Sequence, residues 1–315
     1  MTASLAQAFY VYSVLPATGG VPSADGVLPG VAVDATRFAD LTVLASVVPR
    51  ALFDSENAAN RTADPDWMAD RLQAHHAVNV AAAADGPCLP LAFGALFSCV
   101  DLLHDWLIPR AAALRAALAR VADQTEWALS MQEDTAAHAI WLDREDPDLR
   151  RLAETVAAAG EGTAFLLTRR LDKARAAACA AHIGAAAATV AAQLADAGFD
   201  LLDDPPRTGL PGWTLLVRNR TPAVPAQPDT LSGPAQELAE RVHVLAADLA
   251  PAGLSLRLSG PWPAYAFARA ALAQERIQAA LAREHVQTAL AREHVQTAPA
   301  REHVHAALAG EANHG

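Results

Sequence analysis

Two prolines flank a tryptophan in Gly260-Pro261-Trp262-Pro263, and this segment constrains the fold more than any other stretch of the chain. Each proline fixes its own φ at about −65° and lacks an N–H donor, which predicts extended backbone that continues neither a helix nor a central strand. The alternating run 254–258 before it predicts a strand. We expect Trp262 to be buried in a core, in preference to anchoring a partner directly.

Length and charge limit the class of protein. A chain of 315 residues can form two domains of ordinary size, each with its own core. Its 24 basic and 35 acidic side chains give a formal charge of −11, which repels phosphate backbones and anionic lipid. We therefore expect no nucleic-acid partner and no membrane partner, and we expect the alanine-rich region 175–195 to be a soluble helix. The odd number of cysteines and the absence of an apolar leader segment predict free cytosolic thiols at Cys88, Cys99 and Cys179.

A first domain, residues 1–131, is predicted to be ferredoxin-like α+β, with an antiparallel sheet and helices packed on one face. Asp64 as N-cap and Pro65 at the first helical position predict the start of one helix, and a second is predicted over 100–123. Apolar runs rich in β-branched and aromatic residues predict strands at 8–15, 31–33, 41–48 and 125–131, and the apolar run 87–97 is predicted to form a strand and a turn.

A second domain, residues 132–270, is predicted to be α+β with a long helix. Gly160 and Gly162 separate the first two of its helical stretches. The helical patterns cover 133–159, 163–197 and 235–249, and strands are predicted at 213–218 and 254–258.

A C-terminal tail, residues 271–315, carries the repeat Arg-Glu-His-Val, which begins at Arg283, Arg292 and Arg301. A period of nine residues places successive copies on opposite faces of a helix, so the repeat cannot form one apolar stripe. It also separates neighbouring histidines by about 13 Å along a helix axis, too far to share one metal ion. We expect a solvated tail whose removal leaves the fold intact.

No motif in the chain predicts catalysis, and we expect no catalytic, cofactor-binding or metal-binding residue and no cofactor. His75-His76 lacks the i, i+4 partner of a helical zinc pair, so His75 is expected to be a core histidine. The pair Gly160 and Gly162 lacks the rest of a nucleotide-binding loop, and no serine occupies a Gly-x-Ser-x-Gly elbow. Carboxylates in polar sequence are expected to lie on solvated faces: Glu133, Asp134, Asp143 and Glu145.

Several segments match, in order, a family of known proteins. The stretch 260–267 closely resembles the Gly-Pro-Trp-Pro-Pro-Tyr-x-Phe signature near the C-terminus of the gas vesicle protein GvpL/GvpF family, and 89–97 resembles its Leu-Pro-x-Arg-Phe-Gly-Thr-x-Phe segment. Ala92 and Ala95 stand where the family has arginine and threonine. Further matches lie at 9–12, 47–49, Trp67, His76, Val78 and 126–127. The signature residues are Gly260, Pro261, Trp262, Pro263, Tyr265, Phe267, Leu89, Pro90, Phe93, Gly94 and Phe97.

The resemblance implies a non-enzymatic accessory protein of gas vesicles, the hollow protein shells of buoyant microbes. It implies a minor vesicle component in the cytoplasm that binds the small hydrophobic shell protein, and other gas vesicle accessory proteins, and restrains shell-protein aggregation during nucleation and assembly. The signature residues would then be structural or partner-binding. Two alternatives stay open: a soluble cytosolic enzyme whose active site no motif reveals, and a purely structural protein that lines the shell.

Overall fold

The computed structural model describes residues 7–22, 24–53, 64–203, 209–218 and 233–273. The contacts group the residues up to Arg269 into one compact unit, and a second unit begins at Ala270. A last helix begins at Tyr265. The other elements, in chain order, are β1 (Gln7–Pro16), β2 (Asp34–Phe38), β3 (Leu41–Pro49), α1 (Pro65–Asp85), β4 (Leu89–Pro90), β5 (Leu96–Phe97), α2 (Val100–Leu107), α3 (Ala111–Val121), β6 (Gln124–Glu133), α4 (Thr135–Glu145), α5 (Pro147–Ala157), α6 (Glu161–Asp196), β7 (Asp200–Asp203), β8 (Gly212–Arg218), α7 (Pro234–Leu249) and β9 (Leu254–Trp262).

The first sheet has the strand order β2-β3-β1-β4, and β5 also pairs with β1. All of these pairs are antiparallel. Helix α1 packs on one face, where Val78 joins Tyr10, Tyr12 and Leu44 in a buried cluster. Val43 and Leu44 are adjacent in β3 and both fully buried, and successive strand residues point to opposite faces. Side chains on both faces of this sheet are therefore buried.

One predicted strand of this sheet is absent from the structure, and one predicted strand is divided in two. The run 31–33 is not a strand, because the backbone of Val31 forms a turn in which its N–H donates to Leu28 and its carbonyl accepts from Gly26. The strand forms instead at Asp34–Phe38. The run 87–97 forms the predicted turn, in which Gly94 has φ 83°, and this turn separates two two-residue strands, β4 and β5, where one strand was expected.

The second sheet has the order β7-β8-β6-β9 and is also antiparallel. Leu129 of β6 and Leu215 of β8 form its core with Val190 of α6 and Leu238 of α7. The two sheets with their helices confirm the predicted α+β class. Strand 125–131 was expected in the first sheet, but it is part of the central strand β6 of the second. The division of the chain at residue 131 into two domains stays a prediction.

The helices after β6 differ from the sequence expectation at one point. A single helix was predicted over 133–159, whereas the chain breaks at Asp146, whose side chain accepts hydrogen bonds from the N–H groups of Asp148 and Leu149 and caps α5. Pro147 takes the first position of α5, as Pro65 does in α1. The cap at Asp64 was predicted and is confirmed.

Helix α6 has 36 residues and, by length and composition alone, could cross a membrane. In the structure its C-terminal half packs on the second sheet through Ala186, Val190 and Leu194. Leu171, nearer its N-terminus, packs with Leu142 of α4 and Leu149 of α5. The helix therefore connects the sheet to the α4–α5 pair. The Arg-Glu-His-Val repeats lie outside the described residues.

Candidate functional site

Strand β9 lies at one end of the second sheet as the described residues form it, and the signature segment continues from it. Its last residue, Trp262, pairs with Glu126 of β6. Gly260 has φ 146°, and a Cβ at this position would lie 2.9 Å from ring carbons of Trp127. The peptide bond from Gly260 to Pro261 is cis. Prolines are tolerated here because an edge strand leaves one row of N–H groups without a ladder partner.

The side chain of Trp262 is 40% exposed, so the expectation of a buried tryptophan is wrong. The indole Nε1 donates to Ser259 Oγ at 3.4 Å, and the ring centroid lies 5.6 Å from that of His76 on α1. The buried position beneath Gly260 is taken by Trp127, which is 4% exposed. Trp127 of β6 is therefore part of the core of the second sheet, whereas Trp262 lies at the surface.

The rest of the signature segment folds back onto β6 and α1. The buried carboxylate of Glu126 accepts hydrogen bonds from the backbone N–H groups of Ala266, at 2.9 Å, and Phe267, at 3.2 Å. A carboxylate in this position stabilises the start of a helix. Tyr265 Oη lies 3.0 Å from Nδ1 of His76, and the two rings stack. Burial raises the pKa of Tyr265 to about 12, which keeps its hydroxyl protonated.

The second signature segment, 89–97, meets the neighbouring histidine of α1. His75 is buried, as expected, and its Nδ1 lies 3.0 Å from Tyr10 Oη. The same hydroxyl accepts from the backbone N–H of Gly94 at 3.2 Å, and Phe93 packs edge-on against the His75 ring. Burial raises the pKa of Tyr10 and lowers that of His75 to about 4. These groups are therefore neutral at pH 7, as a buried hydrogen-bonded network requires.

The remaining members of that segment lie against the first strand. Leu89 and Pro90 form β4, and they pair with Val14 and Ser13 of β1. Phe97 pairs with Phe9. The structure thus brings both signature segments to α1, one to His75 and the other to His76.

An exposed apolar strip runs along α1 beside Trp262. Leu72 and Val80 are each 45% exposed, and they stand four residues before and after His76. This spacing places all three on one face of α1, the face that contacts the Trp262 ring. We call Leu72, His76, Val80 and Trp262 the Trp262 patch. Large apolar side chains grouped at the surface are characteristic of interaction sites.

A second group of polar side chains was not singled out from the sequence. Glu133, expected on a solvated face, ends β6 with a side chain 14% exposed, and its Oε1 lies 2.7 Å from Nδ1 of His138. Cys179 of α6 contacts the Glu133 carboxylate, and His182 of α6 contacts the other ring nitrogen of His138, Nε2. Their spacing of three residues places Cys179 and His182 on one helix face, and this spacing was the only feature of the sequence that could have indicated the cluster. Which strand and helix they would meet depends on contacts between residues more than 40 positions apart.

The chain is similar to known gas vesicle proteins in sequence and in fold. The profile of the family described as "Gas vesicle synthesis protein GvpL/GvpF" matches residues 8–269. Gas vesicle protein L2 of Halobacterium salinarum is 28% identical over 280 residues, which cover 84% of this chain and 93% of that protein.

Two crystal structures share the fold. GvpF from Anabaena sp. PCC7120 superposes with a TM-score of 0.63 at 15% identity, over 83% of this chain and 98% of that one. GvpF from Microcystis aeruginosa superposes with a TM-score of 0.56 at 14% identity and the same coverage of both chains. The described residues therefore have the fold of these two proteins.

Proposed function

Because this chain belongs to the GvpL/GvpF family of gas vesicle synthesis proteins, we propose that it is an accessory protein that binds the hydrophobic shell protein and restrains its aggregation during vesicle nucleation and assembly. It acts without catalysis, in the cytoplasm and as a minor vesicle component. Other gas vesicle accessory proteins are further partners. Membership of the family supports the association with gas vesicles.

The observation that carries the binding role is the exposure of Trp262 at 40% within the signature segment. A tryptophan buries a large area on binding, and tryptophans are enriched among the residues that dominate binding energies. The Trp262 patch offers the shell protein three apolar side chains on two rigid elements, α1 and β9. Among the described residues β9 is an edge strand, and its edge adds backbone groups that can pair with a strand of the partner.

The charge of the chain supports the same role. A protein that holds an aggregation-prone subunit must keep the complex soluble while it covers apolar surface. The formal charge of −11 provides mutual repulsion between complexes. Apolar contact at the patch and net charge elsewhere are complementary requirements of a chaperone-like protein.

The test is suppression of shell-protein aggregation, followed by light scattering after dilution of solubilised shell protein into buffer that contains this chain. We expect the wild type to delay aggregation and Trp262→Ala to weaken binding roughly 30-fold, as for a hot-spot tryptophan. Ile140→Ala is the matched control, because Ile140 is 71% exposed on another element, α4.

One result would contradict the proposed function, and another would contradict only the proposed binding site. If folded wild type neither delays aggregation nor cross-links to shell protein, the function itself is wrong. If Trp262→Ala and Ile140→Ala both behave as wild type, the function stands and the Trp262 patch is not its site. The stoichiometry of the chain in purified vesicles separates an assembly factor from a protein that lines the shell.

A further inference from the structure

Three potential ligand atoms of different chemistry converge where β6 passes into α4. Glu133 Oε1 lies 2.7 Å from His138 Nδ1 and 3.1 Å from Cys179 Sγ, and Sγ lies 3.5 Å from the same Nδ1. A carboxylate oxygen, an imidazole nitrogen and a sulfur thus occupy the corners of one small triangle. Such a set of oxygen, nitrogen and sulfur ligands suits a divalent transition metal such as Zn²⁺ and does not suit Mg²⁺ or Ca²⁺.

The backbone holds this group in place. The Asp134 side chain caps α4, and its backbone N–H donates to the carbonyl of Gly253 at 2.8 Å. Gly253 lies so close to α4 that a Cβ there would be 2.7 Å from the backbone nitrogen of His138. His138 itself is fully buried. The ring is therefore positioned before any ligand arrives, which reduces the cost of forming a site.

The second nitrogen of His138 also has a partner. His138 Nε2 lies 2.8 Å from Nδ1 of His182, whose ring stacks on Trp141. When the Nδ1 of a histidine binds a metal, its Nε2–H needs an acceptor that fixes the tautomer and the ring orientation. His182 Nδ1 lies where that acceptor is needed.

The same geometry argues against a nucleophilic cysteine. In a catalytic triad the nucleophile and the carboxylate contact opposite nitrogens of the histidine. Here Cys179 and Glu133 both face Nδ1, and Nε2 faces His182. Burial and the neighbouring carboxylate raise the pKa of Cys179 to about 11, the reverse of what an activated thiol shows.

Glu133 and Cys179 also line a cavity of about 570 Å³. Its other walls are largely apolar and include Ile183, Leu210 and Pro211. A fourth ligand position could therefore be reached from the cavity by water or by a small molecule. Catalytic zinc sites have this arrangement of three protein ligands and one open position, whereas structural sites have four protein ligands.

We propose that Glu133, His138 and Cys179 form a binding site for a divalent transition-metal ion of the Zn²⁺ class, with His182 as the positioning partner of His138 and the fourth position open to the cavity. Tetrahedral zinc ligands stand roughly 3.3 to 3.6 Å apart. The Sγ–Nδ1 distance of 3.5 Å already has this value. Oε1 must move outward by about half an ångström as the ion replaces its hydrogen bonds.

Cobalt binding to the full chain tests the site, because Co²⁺ substitutes for Zn²⁺ and a thiolate ligand produces a charge-transfer band in the near ultraviolet. The histidines of the repeat tail do not interfere with this signal, since all three cysteines of the chain, Cys88, Cys99 and Cys179, precede the tail. We expect one equivalent of Co²⁺ to produce the band and Zn²⁺ to displace it. Cys179→Ser should abolish the band, and Cys99→Ser, the matched control, should retain it.

His182→Ala should weaken Co²⁺ binding roughly 10- to 100-fold without removing the thiolate band, as expected for a residue that orients a ligand. If a cysteine variant fails to fold, mass spectrometry of the wild type replaces it: bound Zn²⁺ should slow alkylation of Cys179 and leave that of Cys99 unchanged. A folded wild type without the band, a band that persists in Cys179→Ser, or alkylation of Cys179 unaffected by Zn²⁺ would each overturn the proposal.

Discussion

The hydroxyl of Tyr265 lies 3.0 Å from Nδ1 of His76, and this contact joins residues 189 positions apart. Tyr265 follows the edge strand of the second sheet, whereas His76 lies on the helix that packs against the first sheet. The adjacent His75 contacts the other signature segment through Tyr10 and Phe93. Two neighbouring histidines of one helix therefore connect the two segments that carry the family resemblance.

Tyr265→Phe should lower the free energy of unfolding by about 1 kcal/mol, because it removes a partly buried hydrogen bond and leaves the ring stacking intact. In a double-mutant cycle with His76→Ala, urea denaturation should yield a coupling energy of about 0.5 to 1.5 kcal/mol. Strictly additive effects of the two substitutions would show that the contact contributes nothing to stability.

Gly260→Ala should destabilise the protein by about 1 to 3 kcal/mol, because a methyl group would meet the Trp127 ring at 2.9 Å and φ is 146°. Gly162→Ala is the matched control, since the residue is helical and, apart from its chain neighbours and the backbone of its own helix, no described atom lies within 4 Å of the position that its Cβ would take. It should be neutral or stabilise by up to about 1 kcal/mol. Equal unfolding midpoints for the two variants would contradict the close packing at Gly260.

Local signals in the sequence were sufficient for much of the fold. Asp64 and Pro65 start α1 as predicted, and the same pair of signals at Asp146 and Pro147 could have divided the helix predicted over 133–159. His75 is buried as its position on the apolar arc indicated. Caps, prolines and periodicity act within a few residues, so they can be recognised without knowledge of the fold.

The features that were missed depend on long-range pairing. Leu129 and Met131 alternate inward in β6, but alternation is the same in either sheet and does not identify the partner strand. Trp262 was expected in the core, but the pairing of β9 with β6 places Trp127 beneath Gly260, and nothing local to Trp262 indicates that pairing. The cluster at Glu133 likewise requires α4 and α6 to meet beside the end of a strand.

Stability should fall as the pH is lowered from about 6.5 to 4. Burial lowers the pKa of His75 from its ordinary value of 6.5 to about 4, and it also lowers the pKa values of His76 and His182. The unfolded chain therefore binds protons first as the pH falls, which favours unfolding across this window. His75 alone should account for about 2 kcal/mol of lost stability between pH 7 and pH 5.

Urea denaturation at the two pH values measures this loss, and His75→Gln should reduce it because glutamine does not titrate. An NMR titration of the His75 ring gives an independent check. A ring that titrates near pH 6.5 in the folded protein, or a glutamine variant with an unchanged pH dependence, would contradict the assignment to His75.

Trp262→Ala and Trp127→Ala should lower the free energy of unfolding by different amounts, because Trp262 lies at the surface and Trp127 lies in the core. Trp262 is 40% exposed, so its truncation should cost about 1 to 2 kcal/mol, whereas Trp127 is 4% exposed and its truncation should cost about 3 to 5 kcal/mol. Thermal or urea unfolding of both variants measures the difference. Similar large losses of unfolding free energy in both variants would show that Trp262 is a core residue. Weaker binding by Trp262→Ala would then be explained by misfolding of the variant. A small loss at Trp262 together with a large loss at Trp127 would agree with the proposed role of the exposed indole in binding shell protein.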